Sequence, residues 1–166
     1  MKISVIFSRS LSANCREKQK SLAESLKYLF KTQLMALQPD KHFLSGLAAA
    51  AATAGSQVSP FSTASANVRN IHINMLKTVV NNAAEKIDPL VKKELPPLLW
   101  LIQMALIFFW LQDKSKNSTN TMEPIDTLMD ILASFIKLQK NPLASSFKKT
   151  FITLARQLMT ITENGP

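Results

Sequence analysis

Seventeen consecutive residues, Leu95 to Leu111, contain a single strongly polar side chain, Gln103. On a helix, Leu95, Leu98, Leu99, Ile102, Leu106 and Phe109 would face one way. Trp100, Met104, Ile107, Phe108, Trp110 and Leu111 would cover the rest. A helix that is apolar all round either spans a membrane or is buried on every side. The membrane reading has the right flanks, with Lys92 and Lys93 before the segment and Lys114 and Lys116 after it. Its length is at the lower edge for a bilayer crossing. Against it, Gln103 sits at the centre, Pro96-Pro97 opens the segment, and the other helical stretches are amphipathic in the manner of a soluble bundle. A small membrane-attached helical protein, inserting through residues 95–111, is therefore the alternative, and a buried helix is the first reading.

Burial has a consequence in a chain of 166 residues, the size of one ordinary domain. Few helices are available to surround a central one, and a second copy of the protein is the simplest cover for its last face. The following helix supports this. Besides its main stripe it carries Ile131 and Leu138, a second apolar row seven residues apart. Two adjacent helices with excess apolar surface predict a four-helix interface across a twofold axis. The predicted interface residues are Trp100, Ile107, Trp110, Leu128, Ile131, Phe135 and Leu138.

The remaining chain reads as helix throughout. Residues 1–19 show no clear period and are expected to be irregular, with one helical domain over residues 20–162. From Ser21, Leu22, Leu26, Leu29, Phe30, Gln33, Leu34 and Leu37 form one stripe, which Pro39 ends. Asp40 is placed to cap a second helix running through the alanines to about Ala54, and Gly55 to Pro60 reads as a loop. Ser62 or Thr63 would cap a third helix with Val68, Ile71, Met75, Val79 and Ala83 on one side. Asp88-Pro89 marks a break or a fresh start, and the apolar helix runs from about Pro96 to Gln112. Thr121 would cap the next, with Ile125, Leu128, Met129, Leu132, Phe135 and Ile136 inward, and Asn141-Pro142 breaks it. A last helix has Phe147, Phe151, Leu154, Leu158 and Ile161 on one face. Three glycines in all, and no useful strand-like alternation, leave an all-α fold of about six helices in an orthogonal or antiparallel bundle.

The chemistry-bearing residues exclude more than they suggest. Cys15 is the only cysteine, so no intrachain disulfide forms and a reducing, cytoplasmic setting fits. The apolar stretch at Met1–Phe7 is too short for a secretory signal and Arg9 interrupts it. The formal charge is +9, but the basic residues are scattered along helices as on solvated faces. No helix-turn-helix is visible, so DNA would be contacted only if that unit were supplied elsewhere. His42 and His72 with one cysteine are too few and badly spaced for a metal site, and no cofactor fingerprint occurs. Asp126 and Asp130 form an i,i+4 pair that a solvated helix face explains. No catalytic residue is assigned, and the chain is read as non-enzymatic. Methionines and aromatics inside a bundle are either plain core or the lining of a pocket for a small hydrophobic effector. For the second case the residues singled out are His72, Met75, Gln103 and Met104.

Three stretches carry a resemblance. The first is Ser21-Leu22-Ala23-Glu24-Ser25-Leu26 leading to Leu37-Gln38-Pro39-Asp40-Lys41-His42-Phe43-Leu44. The second is Ser59-Pro60-Phe61-Ser62 followed by Val68-Arg69. The third runs from Leu98 through Phe109-Trp110-Leu111-Gln112-Asp113-Lys114-Ser115 to Thr121, a tryptophan-rich helix ending in W-x-x-D-x-S before a threonine-led helix. From about Lys20 to Leu158 this order of features resembles the C-terminal regulatory domain of the TetR (tetracycline-repressor-like) family. The resemblance implies an all-α regulatory domain, homodimerisation through the two helices flanking Asp113, and a small-molecule pocket among the helices around it. Such proteins begin with a DNA-binding three-helix unit, and nothing before Lys20 resembles it. A truncated frame, a decayed gene and a stand-alone sensor all fit that departure.

Overall fold

The computed structural model describes residues 20–139, 141 and 145–163. The expected irregular segment at 1–19, and Pro142 of the expected break, lie outside the described residues. Among these are six α-helices: α1 (Leu22–Leu37), α2 (Lys41–Ala51), α3 (Ala66–Asn81), α4 (Pro89–Gln112), α5 (Thr119–Leu138) and α6 (Ser145–Glu163). The all-α expectation holds.

Helix α1 starts where the serine predicts. The Ser21 hydroxyl accepts from the Glu24 backbone N–H and the Glu24 carboxylate accepts from the Ser21 N–H, a reciprocal capping box. The Glu85 carboxylate also accepts the Leu22 N–H, so the connection before α4 closes the same helix end. The predicted stripe of α1 is buried throughout, from Leu22 to Leu37 and including Gln33. Three other caps fall differently. Asp40 stands at the start of α2, but its side chain accepts no capping bond, because a 3-10 turn at Gln38–Asp40 leads directly from α1 into α2. Helix α3 begins after Ser65 rather than Ser62 or Thr63. Helix α5 begins at Thr119, which puts Thr121 inside the helix and fully buried.

Helix α4 is the central element, with α3 along one flank and α6 along another. It starts a full two turns earlier than its apolar run suggests: Asp88 caps it by accepting the Leu90 N–H at 2.9 Å, and Pro89 takes the first helical position. The Pro96-Pro97 pair lies in the interior of the helix and not at its start. Val91, Leu95, Leu99, Trp100, Gln103, Leu106 and Trp110 are its buried side chains apart from Pro96. Phe109, expected inward, is half exposed, since no helix covers that side.

Helix α5 packs mainly on α1, where Lys27–Asp130 and Lys31–Asp126 ion pairs at 2.6 Å run along the edge. The Asp126/Asp130 pair thus faces lysines on a solvated rim. Helix α6 is held to the start of α4 by Lys148–Asp88 and Arg156–Glu94, both at 2.9 Å. The face it turns inward differs from the expected stripe. Ile152 and Ala155 are buried, while Phe147 and Leu154 are exposed. On α3 the inward residues are Leu76, Val79 and Val80, and the expected Val68 and Ile71 are exposed, because the N-terminal half of α3 stands away from the core.

Candidate functional site

The space left by the N-terminal half of α3 is a cavity of about 300 Å³ between α2, α3 and α4. Its construction begins with α2, a helix rich in alanine and with no buried residue. Leu44, Leu47, Ala48 and Ala51 of this helix form one wall. Leu44 packs partly buried against the core, and a polar tie at the first residue of α2 adds to it. The Lys41 ammonium donates to the Asp113 carbonyl at 2.7 Å and sits 5.0 Å from the Trp110 ring centroid.

The second wall is made by α4, through Trp100, Met104, Ile107, Phe108 and Leu111. Their spacing follows one helical stripe. The third wall is the start of α3, where Ser65, Val68, Arg69 and His72 border the space. Between α2 and α3 the chain turns repeatedly: Ser59, Ser62 and Ser65 each donate their N–H to the carbonyl three residues back. Gly55, with φ +73°, supplies the left-handed residue that starts this turn run. Pro60 and Val58 close the cavity from this segment, and Phe61 meets Trp100 edge-on at 5.6 Å.

Electrostatically the site is simple. Among the described residues, Arg69 is the one charged lining side chain, and no Asp or Glu lines the cavity. Its Nη1 donates to the Pro60 carbonyl at 2.8 Å and the Ser62 carbonyl at 3.2 Å, and its guanidinium lies 5.9 Å from the Trp100 ring centroid. Burial holds the His72 imidazole below its ordinary pKa, favouring the neutral ring.

Of the four pocket candidates, His72 and Met104 line the cavity. Gln103 lies instead in the core, where its Nε2 donates to Gln33 Oε1 at 2.5 Å, and Met75 packs partly buried against the same core. Of the seven interface candidates, Trp100, Trp110 and Phe135 are buried within the protomer and Ile107 lines the cavity. Leu128, Ile131 and Leu138 are exposed. Phe135 stacks against Phe147 and Phe151, joining α5 to α6. Sequence reasoning passed over Arg69 and the whole α2 wall. The signal for Arg69 was available: α3 contains no acidic residue to neutralise it.

The W-x-x-D-x-S motif is the joint between α4 and α5. Asp113 accepts the Ser115 N–H at 2.8 Å, the Ser115 hydroxyl at 2.6 Å and the Thr121 hydroxyl at 2.6 Å. This tie carries the chain through Asn117 and Ser118, two consecutive residues in left-handed conformation. No metal-ligating cluster of His, Cys, Asp or Glu occurs among the described residues.

No curated protein matches the sequence. A family model does, that of the tetracyclin repressor-like, C-terminal domain, over residues 25–160, with no helix-turn-helix match beside it. That span includes all six helices but the ends of the first and last, and the chain belongs to this family of regulatory, non-enzymatic domains.

Proposed function

We propose that the chain is the effector-binding and dimerisation domain of a TetR-like transcription regulator, working in the cytoplasm. The cavity between α2, α3 and α4 takes a small hydrophobic effector, and a second copy pairs through α5 and α6. DNA is contacted only through a helix-turn-helix unit supplied from outside residues 25–160. The observation that carries the proposal is the cavity itself. It is about 300 Å³, at the lower end of ordinary small-molecule sites, and its walls are aliphatic and aromatic save for one polar strip. Support for pairing comes from Leu128, Ile131 and Leu138 on α5 and Phe147 and Leu154 on α6, all apolar and exposed.

The membrane-attached alternative uses α4, the one helix among the described residues long and apolar enough to cross a bilayer. Inserting it would strip α3 and α6 from its flanks and break the Gln33–Gln103 bond. A core helix accounts for the same composition without that loss.

The test is a titration of the 166-residue chain with 1-octanol, followed by tryptophan fluorescence, since Trp100 lines the cavity. A saturable change is expected, together with a dimeric mass in light scattering at micromolar concentration. No saturable change with 1-octanol or with octanoate sinks the effector reading, and a strictly monomeric mass sinks the pairing.

A further inference from the structure

The cavity's polarity is unevenly distributed. Helices α2 and α4 contribute only apolar side chains, whereas Ser65, Arg69 and His72 recur at the i, i+4 and i+7 positions of one α3 face. We infer that the cavity selects an amphiphilic monoanion, a carboxylate on a short hydrocarbon tail, with Arg69 gripping the head and α2 and α4 enclosing the tail. This rests on the effector reading above and narrows it to one ligand class.

The geometry of Arg69 supports the assignment in three ways. First, the guanidinium is already oriented. Nη1 donates to both the Pro60 and the Ser62 carbonyl, and the group lies beside the Trp100 ring. Second, the edge formed by Nε and Nη2 has no hydrogen-bond acceptor among the described residues, and no carboxylate of the described chain pairs with this arginine. That edge carries parallel N–H donors at the spacing of the two oxygens of a carboxylate. Third, the cation is half-buried on the wall of an apolar cavity, where a charge partner counts for more than on an open surface.

The other lining groups limit the alternatives. A sugar or nucleotide would need many converging donors and acceptors, and two of the three walls offer none. A cationic ligand would meet Arg69 with no acidic lining residue to offset it. At about 30 Å³ per heavy atom, the cavity holds roughly ten, the size of octanoate.

The experiment titrates the full chain with sodium octanoate, 1-octanol and octylammonium chloride at neutral pH, read by tryptophan fluorescence and calorimetry. Octanoate is expected to bind at least about tenfold more tightly than 1-octanol, the scale of a charge-assisted hydrogen bond, and octylammonium most weakly. In Arg69→Met the octanoate preference should fall below about threefold while 1-octanol affinity stays. Ala48→Phe, which fills the cavity, should abolish binding of both. Saturable 1-octanol binding as tight as octanoate overturns the charge selection and leaves the effector reading standing. Octanoate retained by Ala48→Phe places the anion on the basic surface and overturns the inference. No saturable binding by any of the three overturns both. If Arg69→Met loses its helical circular dichroism, the ranking of the three ligands on the unsubstituted chain decides alone.

Discussion

Asp113 shows how much one side chain can organise. The Ser115 hydroxyl, then the Thr121 hydroxyl, hold its carboxyl down from the usual 3.8 to about 2. A carboxyl with a depressed folded-state pKa contributes stability that is present above about pH 4 and lost as the pH falls through about 2. Urea midpoints measured between pH 5 and 2 should therefore fall steeply in the native chain and less steeply in Asp113→Asn. Equal slopes would show that the hydroxyl bonds do not favour the ionised form. The Gln33–Gln103 pair makes a different kind of residue-scale statement. Gln103 Oε1 is buried with no hydrogen-bond partner, so the pair is only half satisfied. Gln103→Leu alone leaves the Gln33 amide buried and unpaired, an expected loss of about 1–3 kcal/mol, whereas Gln33→Leu with Gln103→Leu should recover most of it. Chemical denaturation of the three variants checks this, and a double variant no better than the single one would refute it. Gln103 was conspicuous in the sequence as the polar residue of an apolar helix. Whether it faced a cavity or a partner was not legible, because that partner is 70 positions away.

At the scale of helices, periodicity located every element but not which side of it turns inward. The α1 stripe was read correctly because α4, α5 and α3 all touch that helix and bury one face of it. The stripe on α6 was equally regular, yet Leu154 is exposed and Phe147 is half exposed at the edge of the Phe135 ring, since only one flank of α6 meets α4. The starts of α3 and α5 were misplaced, and neither helix has a side-chain cap, whereas α2 starts after Asp40 as expected. Helix α2 illustrates a weakly held element, and Gly46 lies in its interior. A Cβ at Gly46 would meet nothing within 4 Å. Gly46→Ala should therefore stabilise the chain by about 0.5–1 kcal/mol through helix propensity and reduced unfolded-state freedom. A thermal melt that moves down would reveal a contact that the open space around Gly46 does not suggest.

For the molecule as a whole, the fold class was legible from composition and the single apolar helix, and the cavity was not. A void is defined by walls from three elements distant in sequence, and no periodicity encodes the gap between them. Excess apolar surface was legible as a quantity: Leu128, Ile131 and Leu138 of α5 are exposed as expected, α4 keeps only part of its excess at Leu90, Phe108 and Phe109, and α6 adds Phe147 and Leu154. An interface made by α5 and α6 carries its own prediction. Ile131→Asp combined with Leu154→Asp places charge on two exposed positions, 60% and 53% accessible, at little cost to the protomer. Light scattering should then report the mass of one chain with unchanged helicity. A dimer that persists would move the contact elsewhere.

Helix α2 contributes a wall to the cavity and no buried residue to the core. In evolutionary terms, the two properties are selected separately. Substitutions at Leu47, Ala48 or Ala51 can reshape what the cavity accepts with little penalty in folding, so a lineage built this way can change ligands while its core sequence stays still.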